Sequence, residues 1–228
     1  MNGATACPRS QKKGIDMEIG IIGSGRVGGT LGRRFVEQGH DIVFGVRSPH
    51  SAKVQSLISE LGGKARAARV AEVSDTTDIV FLTTPWGAAE HAIASAGDLT
   101  GKIVVDCTNP IGADGLLVGT TTSAGELVAG WAEGASVVKA FNTTGSDNMA
   151  NPQYGDLAVT MFICGDDEVS RKVVGSLAEQ IGFEVVDTGP LKTARYLEPM
   201  AMLWVSLAYN QGFGLDFAFK LIRRDATA

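Results

Sequence analysis

The chain has 228 residues, of which 44% are hydrophobic and 20% charged, and its formal net charge at pH 7 is −5. This is the composition of an ordinary globular protein, and the length suits one main domain with a small appendage. The negative charge excludes strong attraction to nucleic acid or anionic membranes, and no apolar run is long enough to span a bilayer. We therefore expect neither a nucleic-acid partner nor a membrane partner.

The N-terminal residues and the cysteines bear on processing and location. Residues 1–16 show no hydrophobic periodicity, and Met17 directly precedes the first apolar strand, so 1–16 is predicted to be a disordered extension. The three cysteines lack C-x-x-C spacing, and Cys107 and Cys164 lie in apolar runs. Reduced thiols and a cytoplasmic location are expected.

From Met17 onward, short β-branched runs alternate with amphipathic segments. The pattern predicts strands at 17–22, 41–46, 67–70, 78–83, 102–106 and 136–140, helices at about 26–39, 51–61 and 123–132, and a helix opening near Trp86. Such a series predicts an α/β fold with a doubly wound, mostly parallel Rossmann sheet, which we assign to residues 17–190.

The second half of the chain extends this pattern. It predicts two more strands and a helix, at 160–164, 183–187 and about 167–181. Residues 191–228 are predicted to form a short C-terminal helical segment, read as one apolar and aromatic helix up to Arg224 with possible breaks at Gly212 and Gly214.

The first predicted strand runs directly into Gly23-Ser24-Gly25-Arg26-Val27-Gly28. A G-x-G-x-x-G sequence between a strand and a helix is the dinucleotide-binding signature. Gly23 permits the tight turn, Gly25 lets backbone N–H groups approach the pyrophosphate, and Gly28 lets helix and strand pack closely. The sequence therefore predicts dinucleotide binding at this turn.

The end of the second predicted strand indicates which dinucleotide is bound. An NAD site usually has an acidic residue there, whereas this chain reads Val46-Arg47-Ser48, with Lys53 as a possible second cation. A guanidinium suits bidentate contact with a 2′-phosphate. NADP(H) is the predicted cofactor, with Arg47 and Ser48 at the phosphate.

Three loops after the fourth, fifth and sixth predicted strands should meet at the carboxyl edge of the sheet. They read Thr83-Thr84-Pro85-Trp86, Cys107-Thr108-Asn109-Pro110 and Ala140-Phe141-Asn142-Thr143-Thr144-Gly145. Their small, uncharged hydrogen-bonding groups suit amide and ribose recognition beside a flat ring. We assign Thr84, Pro85 and Asn109 to cofactor binding, and Trp86, Asn142 and Thr143 to the substrate.

Catalytic and metal-ligating side chains are not evident in the sequence. The three histidines have no metal-ligand spacing, and His40 and His91 are expected at the surface. Asp166 and Asp167 precede a helix and are interpreted as capping residues. We predict no metal site and no acid–base catalyst.

The motifs together resemble the deazaflavin (coenzyme F420)-dependent NADP oxidoreductases from Met17 onward. The shared sequences are the glycine turn, Gly45-x-Arg47, Thr84-Pro85-Trp86, Lys139-Ala140-Phe141-Asn142-Thr143, Cys164-Gly165-Asp166-Asp167 and Asp187-x-Gly189-Pro190-Leu191. The resemblance implies hydride transfer between NADP(H) and deazaflavin. It also implies that Ser24 to Val27 contact the pyrophosphate, that Arg47 and its neighbours hold the 2′-phosphate and that Ala140 lies near the nicotinamide.

By the same resemblance, the hydride acceptor lies in a cleft between the sheet and the C-terminal helix of a homodimer. The chain departs from the family at Val46, where members have Ser, and at Asn142-Thr143, where members have His-Thr. The second departure leaves the acceptor open because that loop faces it.

Alternative functions and the assembly complete the predictions. The chain also resembles the cytosolic domains of STEAP-type metalloreductases, so an NADPH-dependent flavin or metal reductase is one alternative. A non-catalytic NADP(H)-sensing protein is another. The C-terminal segment carries more apolar side chains than one side of a helix can bury within its own subunit. We therefore predict a homodimer in which this segment buries part of its apolar surface.

Overall fold

The computed structural model describes residues 16–224, and alternating apolar side chains build its central sheet. In β1 (Glu18–Ile22), Ile19 and Ile21 enter one buried cluster while Ile22 enters the cluster on the opposite face. Successive strand side chains point to opposite faces, and both faces are covered by helices. The residues of the predicted extension up to number 15 lie outside the described part.

The other strands of the central sheet are β2 (Asp41–Gly45), β3 (Ala65–Ala68), β4 (Ile79–Leu82), β5 (Ile103–Asp106), β6 (Ser136–Lys139), β7 (Thr160–Gly165) and β8 (Glu184–Asp187). Their spatial order is β8-β7-β6-β5-β4-β1-β2-β3. Neighbouring strands are parallel except for β6 and β7. The predicted doubly wound, mostly parallel Rossmann sheet is confirmed, and its strand order reverses beside β1, the position at which such sheets bind ligands at their carboxyl edge.

Residues 16–224 contain seven α-helices: α1 (Arg26–Glu37), α2 (Ala52–Glu60), α3 (Ala89–Ala94), α4 (Ala124–Trp131), α5 (Ser146–Ala150), α6 (Glu168–Gln180) and α7 (Ala194–Val205). Two hairpins of two-residue strands, Ile111–Gly112 with Gly115–Leu116 and Gln153–Tyr154 with Leu157–Ala158, project from the connections. No helix within residues 16–224 is long and apolar enough to cross a bilayer.

The third strand and the last helix depart most clearly from the predictions. The weak third strand begins at Ala65, two residues before its predicted start, because it pairs with β2 from Ile42 onward. The last helix is shorter than predicted: α7 ends at Val205, a single π-helical stretch follows over Ser206–Asn210, and 211–224 contains no helix.

The C-terminal tail leaves the helix because its backbone adopts left-handed glycine conformations and then bonds elsewhere. Gly212 and Gly214 have φ of +74° and +72°. Beyond them, the Phe217 carbonyl accepts hydrogen bonds from Asn148 Nδ2 and Trp204 Nε1. These contacts anchor the tail beside the loop that follows β6.

Candidate functional site

The glycine turn after β1 has the geometry of an anion-binding loop. Gly23 has φ of +111°, and its N–H donates to the Gly45 carbonyl at 3.0 Å. A Cβ at Gly28 would lie 2.2 Å from the Gly23 carbonyl oxygen, whereas a Cβ at Gly25 would meet no atom within 4 Å. The turn therefore requires glycine at position 28 for packing and leaves open space at position 25.

Helix α1 begins directly above this open space. Its first turn contains no acidic residue, and its N-cap, Gly25, has no side chain to accept from the first N–H groups. Such N–H groups and the helix dipole attract an anion. Arg26 adds a guanidinium, which contacts Asp147 Oδ2 at 3.3 Å and thereby bridges the turn to α5. Both partners are exposed, so this ion pair contributes little stability.

The end of β2 presents cationic side chains to solvent. Val46 is buried and its N–H donates to the Ala68 carbonyl, while Arg47 and Ser48 emerge exposed immediately after it. Lys53, at the start of α2, is also exposed. Within residues 16–224, neither Arg47 nor Lys53 forms an ion pair, so both cations are available to a phosphate.

The loop after β4 is bonded to the glycine turn. Thr83 Oγ1 donates to the Ile22 carbonyl at 2.9 Å, and Thr84 Oγ1 is buried with no hydrogen-bond partner in the described part of the chain. Pro85 is exposed. Trp86 stacks on Trp131 with 5.3 Å between ring centroids, so its indole packs against the end of α4.

The loops after β5 and β6 are joined by their asparagines. Asn109 Nδ2 donates to the Asn142 carbonyl at 2.8 Å, and Asn142 Nδ2 donates to Asn109 Oδ1 at 3.1 Å. Phe141 precedes this pair with φ of +59°, a conformation that costs a non-glycine residue about 1–3 kcal/mol. Its ring packs against Phe81 and Phe183, which hold the strained backbone in place.

Two other predicted residues of this loop are enclosed. The methyl group of Ala140 is fully buried in the same hydrophobic cluster as Phe141, and Thr143 is buried as well. Enlarging Ala140 would therefore disturb the core in addition to any effect on a bound ring.

A buried ion cluster lies beneath these loops, and the sequence analysis missed it. Lys139 Nζ donates to Asp106 Oδ2 at 2.8 Å and to the Thr108 carbonyl at 2.7 Å, and it forms an ion pair with Glu198 Oε1 at 2.9 Å. The three charged side chains are fully buried. A sequence signal existed, because a lysine and an aspartate each end an otherwise apolar strand.

The second carboxylate of the cluster is compensated by backbone. Glu198 accepts hydrogen bonds from the N–H groups of Ala124 and Gly125, at the beginning of α4. Burial lowers the pKa of Lys139, but Asp106 and Glu198 together outweigh burial and hold that pKa above its ordinary value. Lys139 therefore stays an ammonium ion, and the cluster ties α4 and α7 to the sheet edge.

The two buried cysteines and Asp167 are titratable residues with structural roles. Burial, with Asp106 nearby, raises the pKa of Cys107, and burial raises the pKa of Cys164 to about 12, so both thiols stay protonated at neutral pH. Asp167 caps α6 by accepting from the Ser170 N–H at 2.7 Å, as predicted. Among residues 16–224, no group of three His, Cys, Asp or Glu side chains forms a metal site.

The surface position predicted for His40 is wrong. His40 is 1% exposed, its Nδ1 accepts from the Met17 N–H, and its Nε2 bonds Gln180 Oε1 at 2.7 Å. It lies at the amino end of β2, away from the candidate site, and its ring contacts the ring of Phe35 edge to face. His91 is exposed, as predicted.

The site residues thus lie along one edge of the sheet, at the carboxyl ends of β2, β1, β4, β5 and β6. A dinucleotide fits this edge by three observations. The space at Gly25 is open, Arg47 is exposed, and two of the three unpaired buried side-chain polar atoms in the described residues belong to predicted site residues, Thr84 and Asn142. Native proteins rarely leave such atoms unpaired, which favours a ligand as their partner.

Comparison with known proteins places this edge in context. Residues 18–110 match the family model described as NADP oxidoreductase, coenzyme F420-dependent. The F420-dependent NADP reductase of Methanothermobacter thermautotrophicus is 27% identical over 209 residues, which is 84% of this chain and 89% of that protein. A crystal structure of a candidate F420-dependent NADP-reductase from Arthrobacter sp. FB24 superposes with a TM-score of 0.83 at 28% identity, covering 91% of this chain and all of that one.

A second type of relative is longer than this chain. Metalloreductase STEAP3 of Rattus norvegicus is 30% identical over 186 residues, which is 81% of this chain. The matched region is 36% of that protein.

Proposed function

We propose that the chain belongs to the family of coenzyme F420-dependent NADP oxidoreductases and that it transfers a hydride between NADP(H) and the deazaflavin coenzyme F420. The broader assignment, an NADP-dependent oxidoreductase, comes from the family model and the full-length relatives. The observation that carries the proposal of F420 is the match to nearly the whole length of an F420-dependent reductase.

In this proposal the sheet edge binds NADP(H) in an extended form. The pyrophosphate is held by the backbone of Gly23 to Gly28, including Ser24, Arg26 and Val27, at the start of α1. Arg47 and Ser48 hold the 2′-phosphate. The nicotinamide half lies toward β4, β5 and β6, where the assigned contacts are Thr84, Pro85, Asn109 and Ala140.

The acceptor ring is assigned to the same end of the edge, beside Trp86, Asn142 and Thr143. The C-terminal segment from residue 191 covers that end through α7, whose Leu197 carbonyl accepts from Asn142 Nδ2. We assign the acceptor cleft to this segment and the cofactor domain to 17–190. The homodimer and the cytoplasmic location expected from the sequence stay predictions.

The chemistry proposed for the protein residues is orientation. The nicotinamide supplies the hydride when it is bound, and the surrounding groups are uncharged amides and hydroxyls. Thr83 joins the loop after β4 to the phosphate turn, and the asparagine pair joins the loops after β5 and β6, so the edge presents a preformed surface to two flat rings. No side chain is assigned as a general acid or base.

A flavin or metal reductase is a second candidate function. The 30% identity to STEAP3 over most of this chain favours it. The same hydride donor site would then serve a flavin as the acceptor. A third possibility, NADP(H) sensing without turnover, predicts that bound NADPH survives every acceptor.

The experiment that tests the proposal uses NADPH deuterated at C4 on each face separately, with coenzyme F420 and with FMN as acceptors. We expect one face only to deliver its label to reduced F420. The N5 hydrogen of reduced FMN exchanges with water, so the FMN arm is read from NADPH instead: oxidation by FMN with loss of label from one C4 face, and no label in F420, supports the flavin reductase. Oxidation of NADPH by neither acceptor removes the oxidoreductase proposal and leaves the sensor.

The proposed absence of an acid–base residue is tested with two variants. His91→Ala and Asp167→Ala should change turnover little, because loss of a true acid–base group costs about 100-fold or more. Asp167→Ala should lower the free energy of unfolding by about 1 kcal/mol through loss of the α6 cap. A hundredfold loss of turnover in either variant contradicts the proposed chemistry.

A further inference from the structure

The side chain of Asn142 leaves one hydrogen-bonding atom unused at the proposed site. Asn142 is 3% exposed, and its Nδ2 donates to Asn109 Oδ1 at 3.1 Å and to the Leu197 carbonyl at 3.2 Å. Both protons of the amide are therefore used. Its Oδ1 is buried and has no hydrogen-bond partner among residues 16–224.

The orientation of this amide is set by its neighbours. Rotating the group by 180° would turn Oδ1 toward two other acceptors, Asn109 Oδ1 and the Leu197 carbonyl, and would leave the amino group without them. The backbone is held too, because Asn109 Nδ2 bonds the Asn142 carbonyl at 2.8 Å. Oδ1 cannot satisfy itself by a simple flip of the side chain.

The buried ion cluster supports both partners of Asn142. Lys139 Nζ bonds the carbonyl of Thr108, which directly precedes Asn109, and it also bonds Glu198, which directly follows Leu197. One ammonium group thus holds both of the elements that fix the Asn142 amide. The unpaired Oδ1 of Asn142 is therefore held in a fixed position by the hydrogen bonds and ion pairs around it.

A second buried asparagine in the same region provides a contrast. Asn148 Nδ2 donates to Thr144 Oγ1 and to the Phe217 carbonyl, both at 2.8 Å, and its Oδ1 accepts from the Tyr154 hydroxyl at 2.6 Å. Every polar atom of that amide is paired. The fold can therefore satisfy a buried asparagine here, and the unpaired Oδ1 is particular to Asn142.

We propose that Asn142 Oδ1 accepts a hydrogen bond from a ligand N–H that adjoins a carbonyl group, as in a primary carboxamide or a cyclic imide. This rests on the proposed function, whose two ligands each carry such a group: the nicotinamide carboxamide and the imide of a flavin or deazaflavin ring. Asn142 follows β6, on the opposite side of β1 from Arg47, where the ring end of the dinucleotide lies.

The test measures binding of matched ligands that differ in one N–H group. The first arm compares NADP⁺ with its thionicotinamide analogue, which keeps the amino group, and with its 3-acetylpyridine analogue, which has a methyl group instead. The second arm compares 5-deazariboflavin with its N3-methyl derivative in the presence of NADP⁺. Affinities are measured by calorimetry for the wild type, Asn142→Ala and Asn148→Ala.

In the wild type we expect loss of the N–H group to weaken binding about tenfold in one of the two arms. Asn142→Ala should bind both members of that pair with equal affinity. Asn148→Ala should keep the wild-type preference, because its amide is paired within the protein. The arm that responds identifies the source of the N–H group.

Equal affinity of the wild type within both pairs overturns the inference, and so does an unchanged preference in Asn142→Ala. The wild-type comparison decides the matter even where a variant fails to fold. If the wild type prefers the ligand that has the N–H group and still transfers no hydride to F420 or FMN, that result supports this inference and rules out the proposed reaction.

Discussion

The two glycines that end the phosphate turn have different physical requirements. Position 28 is packed, since a Cβ there would overlap the Gly23 carbonyl at 2.2 Å, and position 25 is open to solvent. The backbone of Gly25 has φ of −77°, which other residues adopt without strain. Folding therefore does not require glycine at 25, in agreement with the proposed approach of a ligand to this position.

This difference predicts separable effects of two substitutions. Gly25→Val should unfold near the wild-type denaturant midpoint but weaken NADPH binding about tenfold or more, since its side chain occupies the pyrophosphate approach. Gly28→Val should lower the free energy of unfolding by several kcal/mol through overlap with the turn. Urea denaturation and NADPH fluorescence titration measure both, and normal NADPH affinity in a folded Gly25→Val contradicts the assignment of the turn.

Arg47 predicts the cofactor preference. Its exposed guanidinium has no ion-pair partner within the described residues, so Arg47→Glu should weaken NADPH binding by a kcal/mol or more and leave NADH binding nearly unchanged. Arg66→Glu is the matched control, because Arg66 is a β3 arginine already paired with Glu18. Equal affinity of the wild type for NADPH and NADH would contradict the assignment of the 2′-phosphate to Arg47.

At the scale of elements, the ion cluster replaces the apolar packing expected where α4 and α7 meet the sheet. Asp106 and Lys139 are direct neighbours in the β5–β6 register, and Glu198 reaches them from α7. Arg195 also joins α7 to α4, through Glu126 at 2.7 Å. The position of α7 is thus determined by charge pairing in addition to burial of Leu197 and Trp204.

Removing the ammonium group should be costly because two carboxylates stay buried. Lys139→Met is expected to lower the free energy of unfolding by about 3–5 kcal/mol, as for other broken buried ion pairs. Adding Glu198→Gln to that variant should restore part of the loss by removing one carboxylate charge. Urea unfolding of the two variants measures this, and a loss below about 1 kcal/mol in Lys139→Met contradicts the role of the cluster.

The raised pKa of Lys139 predicts an alkaline limit to this stabilisation. A lysine whose pKa is higher in the folded than in the unfolded chain contributes stability that is complete below the unfolded pKa, about 10.4, and is lost as pH rises through the folded value. The difference in unfolding free energy between wild type and Lys139→Met should be constant from pH 7 to about 9 and shrink above about pH 10.5. A difference that stays constant up to the highest pH at which both proteins fold is the contrary result.

At the scale of the whole molecule, apolar side chains remain exposed on the C-terminal segment. Tyr196 is 75% and Leu203 is 52% exposed, and their spacing of seven residues places both on one side of α7. Trp204, by contrast, stacks on Phe217 with 5.2 Å between ring centroids, so it is packed within its own subunit. The dimer predicted from sequence would use the face with Tyr196 and Leu203.

Light scattering tests this assembly at micromolar concentration. The wild type should give about twice the chain mass of 23.8 kDa, because pairing covers the exposed apolar face. Leu203→Glu should shift the mass toward the monomer. Val169→Glu, at a position 68% exposed on α6, should leave it unchanged. A monomeric wild type refutes the dimer, and an unaffected Leu203→Glu refutes this face.

The sequence by itself determined the sheet, the turn and the edge on which the site lies. The alternation of apolar runs and amphipathic segments depends only on residues close in sequence, and so does the glycine spacing at 23, 25 and 28. Both can therefore be recognised from the sequence alone. Because parallel strands end at one edge, the loops at 84, 109 and 142 could be assigned to one place before their contacts were known.

Only the tertiary structure decided which polar groups pair across that edge. Lys139, Asp106 and Glu198 are far apart in sequence, and a buried charge is stable only where its partners and their geometry are supplied by other elements. The same holds for His40, which is buried by contact with Gln180, and for the tail after Gly212, which leaves the helical path because distant donors bond the Phe217 carbonyl. Each depends on side chains brought together by the fold, a long-range property that no local pattern records.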